Sequence, residues 1–526
     1  MKITGIILKY GTIPVALVYF ISFWFYKLDT LPGLHGDEAW FGLKAELYNR
    51  SGVDRLLGMN GYTGILQSLA SAVSFKYFDI NVFSLRLPGV ICNSITLLGV
   101  LIYLFWRHRL RTVLLFVLFL GQSGSFLLFP KVAWEVTSFN PMFLAILLLS
   151  TLEIIRFKRF QPVPVFFFLM ANVVGTYNHI IFSGIALALL GGTALWISSH
   201  KNFEYLNLLA LFAVNAVNIF ALECMLRFYS HNILSSSDYW PFALVLIVLV
   251  VLAVTANTWL KWISPLLRVF YRIEVPHWIE NVILALCILA FVFRHGLGLM
   301  HALANDAIIV NLFSFSISPP VSLLLITTGA IITGSFFVYL IQDVFGGKRS
   351  LYGTVVVVYL GVFSMMVNAP SVRYYILLGS VICCYMTYCI IKAGPYNRHT
   401  FTTIAAIALS SVLTNFTIWE VYADPNRKLK AVSFTIGNSS FETSAHFLPL
   451  RPLIDYMRQH KIGKLTNNTR FIKEPVLFYK SIEDWDDIPD RKLTLTYDYD
   501  HYNAGYTMSF QDTLTVSPAK DNSVRK

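Results

Sequence analysis

Thirteen apolar runs long enough to cross a bilayer leave this chain few folds to choose from. They lie at roughly 6–26, 89–106, 112–129, 139–155, 162–178, 180–197, 206–222, 241–260, 279–293, 319–341, 351–367, 375–391 and 401–418, close to the ~20 residues a helix needs to span hydrocarbon about 30 Å thick. In lipid a backbone must satisfy its own hydrogen bonds, so such runs become helices. Composition agrees: 56% of the residues are hydrophobic, 13% are charged and the mean hydropathy is +0.61, far from the balance of a soluble domain. The expected fold class is a polytopic α-helical membrane protein with about thirteen transmembrane helices. The first run ends in Phe23-Trp24-Phe25-Tyr26-Lys27, not in a small-residue cleavage site, and reads as a retained helix rather than a secretory signal. Only Asn178 and His179 part the runs at 162–178 and 180–197.

The net charge of +12 does not indicate nucleic acid, because the basic residues recur between apolar runs instead of gathering on one solvated face. They act as topology signals. Arg107-His108-Arg109 with Arg111, Arg156 with Lys158 and Arg159, Lys261 with Arg268 and Arg272, Lys348-Arg349, and Lys392 with Arg398 fall on alternate connections, which the positive-inside rule assigns to the cytoplasm. The N-terminus is then cytoplasmic, and an odd number of spans places the C-terminus outside. Cys92, Cys224, Cys287, Cys383, Cys384 and Cys389 lie in or beside apolar runs, without the spacing of a disulfide framework or a zinc site. No metal is assigned; a divalent ion is left open.

The first outside loop, 28–88, is far longer than a connector needs to be. Residues 39–47 and 64–77 within it have helical periodicity and suit interfacial helices, one face in the headgroups. A second outside loop at 294–318 carries Arg294, His295, His301, Asn305 and Asp306. From Trp419 the character changes. Residues 420–526 contain no spanning run, a helical pattern at 452–460 and strand-like stretches at 475–479 and 492–497, and read as a small α/β domain outside the membrane. The expected division is 1–419, the transmembrane catalytic region, and 420–526, the soluble extracytoplasmic domain.

Within the first loop, Gly33-Leu34-His35-Gly36-Asp37-Glu38-Ala39-Trp40 places two adjacent carboxylates where the first helix leaves the membrane. Acidic residues favour the positive end of a helix dipole, so capping alone would account for them. A wider pattern points to chemistry. Gly36-Asp37-Glu38-Ala39 follows the first span, Ser84-Leu85-Arg86-Leu87-Pro88-Gly89 leads into the second, and Pro370-Ser371-Val372-Arg373-Tyr374 precedes a late span. This order resembles the GT-C glycosyltransferases, in the branch containing the protein O-mannosyltransferases and the lipid A aminoarabinose transferases.

The resemblance implies transfer of a monosaccharide, with inversion, from a polyprenyl-phosphate carrier to an acceptor hydroxyl on the extracytoplasmic side. The acceptor is a surface glycan, a lipid or a protein, and the setting is a bacterial inner or plasma membrane. Asp37 matches the family's first-loop acid and is the expected general base; Glu38 either holds the acceptor or shares the proton. Arg373 matches the late arginine and is expected to bind phosphate, a planar fork that lysine cannot reproduce. Lys131 is a second cation by position, and Tyr374 and Tyr62 are expected at the substrate. Trp134, Glu135, Asn60 and the stretch Tyr497–Tyr502 are weaker candidates, each with an ordinary structural explanation. The aminoarabinose branch carries a Glu-Lys-Pro element after its acidic pair; here that region reads Gly58-Met59-Asn60-Gly61-Tyr62-Thr63-Gly64, so an aminoarabinose donor is not carried over. The competing class is a lipid-glycan transporter or flippase, which should have repeated halves and ionisable groups at mid-membrane.

Overall fold

The computed structural model describes residues 2–512 apart from 109, 158–159, 201–202, 230–239, 271–275, 307, 310–316, 348, 368–371, 395–396, 425–430, 437–438, 445–450, 467–469, 484, 486–491 and 501–504. A helix stands on each of the thirteen apolar runs. In chain order the elements up to the middle of the chain are α1 (Lys2–Phe25), α2 (Gly36–Ser51), α3 (Leu66–Phe78), α4 (Val82–Arg107), α5 (Leu110–Gln122), α6 (Gly124–Leu128), a 3-10 turn at Phe129–Lys131, α7 (Glu135–Ser138), α8 (Asn140–Phe157), α9 (Pro162–Asn178) and α10 (Ser183–His200). Then come α11 (Leu206–Tyr229), α12 (Trp240–Val254), α13 (Ala256–Phe270), α14 (His277–Ala304), α15 (Pro319–Phe345), α16 (Leu351–Met366), a 3-10 turn at Val372–Tyr374, α17 (Tyr375–Ala393) and α18 (Arg398–Ala423). Among the described residues eight helices are long and apolar enough to cross a membrane, ten with each of two bent pairs counted as one span; Gly11–Phe25 and α16 are shorter apolar helices. The protein is a multi-pass membrane protein.

Three expected boundaries differ. The run at 241–260 is not one straight span: it breaks after Val254, and α13 turns away by 77°. The reason is in the sequence, because Lys261, Pro265 and Arg268 make this second half amphipathic where α12 is uniformly apolar. The run at 112–129 bends by 76° between α5 and α6, and a buried amide serves the break. Asn305, in the left-handed region at φ 65°, accepts from the Gly124 N–H at 2.7 Å and donates to the Gln122 carbonyl at 2.6 Å. Groups freed by the kink are thereby paired again. Finally, α14 continues to Ala304, so Arg294, His295 and His301 stand on a helix and not in a loop.

The end of the bundle where α1 finishes and α4, α10 and α17 begin carries α2 and α3. The cap residue Asn81 starts α4, its side chain accepting from the Ser84 N–H at 2.8 Å, as expected of an amide at this position. Beyond α18, five strands β1 (Ala431–Ile436), β2 (Ser439–Ser444), β3 (Lys464–Thr466), β4 (Lys492–Asp500) and β5 (Gly505–Asp512) form a mixed sheet of order β2-β1-β5-β4-β3. Two helices, α19 (Arg451–Gln459) and α20 (Arg470–Ile482), complete this part. The stretch 475–479, expected as a strand, lies inside α20: Val476 and Phe478 are buried while the helix around them is amphipathic. A short apolar run does not by itself tell the two periods apart.

Helix α20 packs on α2 through a close approach. A Cβ added at Gly42 would lie 2.4 Å from the ring of Phe478, which is itself fully buried among Ala39, Ala45 and Phe75. Gly42→Val is expected to part the two helices and to destabilise the protein by about 1–3 kcal/mol, the usual cost of overpacking. Thermal unfolding in detergent, with limited proteolysis of the C-terminal part, would check this.

Candidate functional site

Helix α2 begins at Gly36 under a cap formed by His35, whose Nδ1 accepts from the Asp37 N–H at 3.1 Å while its own N–H donates to Glu38 Oε2 at 3.0 Å. The two neighbouring acids then part company. Glu38 is wholly buried against Arg86 of α4. Arg86 Nε donates to Oε1 at 2.9 Å and its terminal NH2 to Oε2 at 3.0 Å, and the Ala133 N–H adds a further bond to Oε1 at 2.8 Å. The rest of the guanidinium donates to the carbonyls of Leu28, Pro32 and Gly33 at 2.9, 2.8 and 3.0 Å. All five N–H groups of Arg86 are thus used, and both oxygens of Glu38 accept twice, which fills the inventory of each group. Expected at the reacting centre, Glu38 is instead enclosed in a structural knot joining the end of α1, the loop after it, α4 and the 129–133 segment.

Asp37 faces the other way. Arg373, 336 residues later and just ahead of α17, donates to Asp37 Oδ2 at 3.0 Å. Both side chains are partly open, at 15% and 22% of their full exposure for the acid and the arginine. Aromatic rings wall the pair. The guanidinium lies 5.9 Å from the Trp134 ring and 5.1 Å from the Tyr374 ring, and donates to the Tyr374 hydroxyl at 3.3 Å. Glu135, buried at the start of α7, adds a second carboxylate that acts electrostatically on Arg373. Of the motif at 370–374, residues 370 and 371 lie outside the described residues, as do 501 and 502 of the tyrosine-rich tail.

Tyr62 reaches the site from the first loop. The Ile180 N–H donates to the Tyr62 carbonyl and the Gly64 N–H to the Asn178 carbonyl, both at 3.1 Å, so Thr63 and His179 form a short antiparallel bridge. This sets the Tyr62 ring 5.3 Å from that of His179, which in turn lies 5.4 Å from Tyr374. Asn60 donates to the Tyr62 hydroxyl at 3.1 Å. Burial, with Tyr374 beside it, pushes the Tyr62 hydroxyl up to about 12, so it stays protonated and able to donate at neutral pH.

Lys131 departs from expectation. It is fully buried and turned into the end of α1, where its ammonium donates to the carbonyls of Tyr26 and Phe23 and lies 4.2 Å from the Tyr422 ring. The last carbonyls of a helix lack partners within it and accept readily from a side-chain amine placed there. It is a clamp between α1 and α18, not a group open to phosphate. His295 and His301 are likewise engaged elsewhere, with the Tyr375 hydroxyl at 3.2 Å and with Asp306 at 2.9 Å.

The residue the sequence did not single out is His179. Its signal was slight, a polar pair between two apolar runs. Burial first, and then the Arg373 charge, lower its imidazole to about 3. In an unfolded chain the ring takes a proton below about pH 6.5, and the folded protein does not take it until about 3. The unfolded state therefore binds more protons across that window, and stability falls as pH drops from about 6.5 toward 3. His179→Gln is expected to flatten this part of the curve, read as the difference between mutant and wild-type thermal midpoints from pH 7 to pH 4.

Beneath the site a cavity of about 610 Å³ runs between α4, α5, α8 and α17. Asn93, Pro130 and Tyr375 line it near the Asp37 end, and His108 and Lys392 line the opposite end; most of its wall is apolar. Among the described residues no group of three or more His, Cys, Asp or Glu is placed to hold a metal ion.

A bundle of apolar helices with an acid–arginine pair at one end, and an apolar cavity among the helices, defines a multi-pass membrane protein with a polar centre at one end of its bundle. No family model matches the chain, and no curated protein matches it. Among solved structures it is similar to a crystal structure of ArnT from Cupriavidus metallidurans bound to undecaprenyl phosphate, at 10% identity and a TM-score of 0.32, over 97% of this chain and 99% of that one.

Proposed function

We propose that the protein is an inverting glycosyltransferase of the GT-C type. It moves a monosaccharide from a polyprenyl-phosphate carrier to an acceptor hydroxyl on a surface glycan, a lipid or a protein. The observation that carries this reading is the 3.0 Å contact between Asp37 and Arg373. A carboxylate and a guanidinium 336 residues apart in the sequence meet at one end of the helix bundle. Both are partly open, and an apolar cavity lies among the helices nearby, lined by Tyr375 two residues after Arg373.

In this reading the isoprenoid chain occupies the cavity and its phosphate displaces Asp37 as the partner of Arg373. Guanidinium binds phosphate oxygens in a fork and more strongly than a neutral donor does. Asp37, released from the pair, takes the proton of the acceptor hydroxyl as that oxygen attacks the anomeric carbon. The bond from that carbon to the phosphate oxygen breaks on the opposite face, and its electron pair leaves with polyprenyl phosphate. The charge developing on phosphate is met by Arg373, in surroundings where low dielectric strengthens the contact. Glu38 and Lys131 hold the scaffold and take no part in the chemistry. Tyr62 and Tyr374 form the walls beside the sugar. The positive-inside assignment puts this end outside the cytoplasm, with residues 1–419 carrying the reaction and 420–526 standing over it.

The test is to incubate purified protein with a panel of polyprenyl-phosphate monosaccharides and candidate acceptors. Release of polyprenyl phosphate together with a glycosylated acceptor is expected for at least one pair. A folded, monodisperse preparation that releases none across the panel would remove the transferase reading and leave the transporter class.

A further inference from the structure

Among the described residues, two buried donors at this site have no hydrogen-bond partner. His179 Nδ1 accepts from the Ile181 N–H at 3.2 Å, which fixes the ring proton on Nε2. The side chain is only 3% exposed, and Nε2 has no hydrogen-bond partner among the described residues. Arg373 Nε is in the same position. Both groups pack on one ring, that of Tyr374, at 5.4 Å for the imidazole and 5.1 Å for the guanidinium. Buried donors left unpaired are few in native proteins and costly to keep. Two such donors packed on one ring suit an oxygen acceptor supplied by a bound ligand.

We propose that His179 is a substrate-binding residue whose Nε2–H donates to a non-bridging phosphate oxygen of the polyprenyl carrier, beside the contact made by Arg373. The proposal rests on the transferase reading for the identity of the carrier. A neutral imidazole suits the place: an imidazolium would repel the neighbouring guanidinium, and burial keeps the ring uncharged. The backbone bridge from Thr63 to His179 and the Tyr62 ring 5.3 Å away hold the imidazole in register. The donor is therefore preorganised, and no reorganisation is required when charge builds on the phosphate. No proton is transferred from His179; it contributes a hydrogen bond only.

Two substitutions separate this role from a structural one. His179→Asn keeps an acceptor oxygen where Nδ1 stands, so Ile181 stays capped, but removes the far donor. His179→Gln restores a donor at about the reach of Nε2. Titration calorimetry of farnesyl phosphate into the detergent-solubilised protein is expected to give about tenfold weaker binding for His179→Asn, the size of one hydrogen bond to a charged group. Its thermal midpoint should be unchanged, and His179→Gln should recover most of the affinity. Equal affinity in wild type and His179→Asn overturns the proposal. So does a wild type that binds no farnesyl phosphate, or a loss of affinity that follows the thermal midpoint and that glutamine does not restore. A wild type that binds farnesyl phosphate in a His179-dependent way, yet transfers no sugar, upholds the donor and refutes the transferase reading alone.

Discussion

Asp37→Asn is expected to lower turnover by about 10²–10⁴-fold, the usual contribution of a positioned general base, in a protein that folds as the wild type does. Two observations support the second half of that statement. Asp37 is partly exposed, and its side chain pairs with Arg373 at 3.0 Å, a contact that an amide oxygen can still accept. The cap of α2 is formed by His35 and by the Asp37 backbone N–H, which asparagine keeps. Binding of a polyprenyl phosphate should survive, because a negative charge beside the phosphate has been removed. Steady-state rates with a responsive donor, alongside the thermal midpoint, would check the prediction. Turnover within a few-fold of wild type would mean that another group takes the acceptor proton, and Glu135 would be the first to examine.

Arg86→Met is expected to produce the opposite pattern, a loss of folded protein. Removing one partner of a buried pair strands the other, at a cost of roughly 3–5 kcal/mol. Here the stranded groups are Glu38 and the carbonyls of Leu28, Pro32 and Gly33, all deep at the end of α1. The double substitution Arg86→Met with Glu38→Leu should recover part of that loss, since no isolated charge then remains buried. Yield of monodisperse protein and thermal midpoints in detergent would measure both. An Arg86→Met variant as stable as wild type would show that the knot holds nothing. Adjacent acids in one sequence motif are thereby separated by experiment, one through rate and the other through stability.

Much of this was legible in the chain. Helix placement follows from hydrophobic runs of membrane length, and all thirteen carry helices because lipid leaves the backbone no other partner. The meeting of Asp37 with Arg373 was expected from the order of short motifs. What could not be read is which side chain of an adjacent pair turns inward. That depends on Arg86 arriving from another helix, and Arg86 in the sequence looked like one residue of a motif. Lys131 misled for a similar reason: its position near a helix end was right, but the Tyr422 ring and the α1 carbonyls that enclose it lie far away in sequence. His179 left almost no trace: the Ile181 N–H sets its tautomer, but its burial and its ring neighbours come from the first loop and from Tyr374, far away in sequence. The bends at Ser123 and Thr255 depend on local amphipathicity and on Asn305, neither of which interrupts an apolar run.

The span of 336 residues between Asp37 and Arg373 also sets a timetable. Ribosomes add roughly 5–20 residues per second, so about 20–70 s of synthesis separate the two. During that interval the acid is without its cation, and α17 has not been made. The polar centre comes into being only late in synthesis, and nascent chains cut short before Arg373 lack the guanidinium altogether.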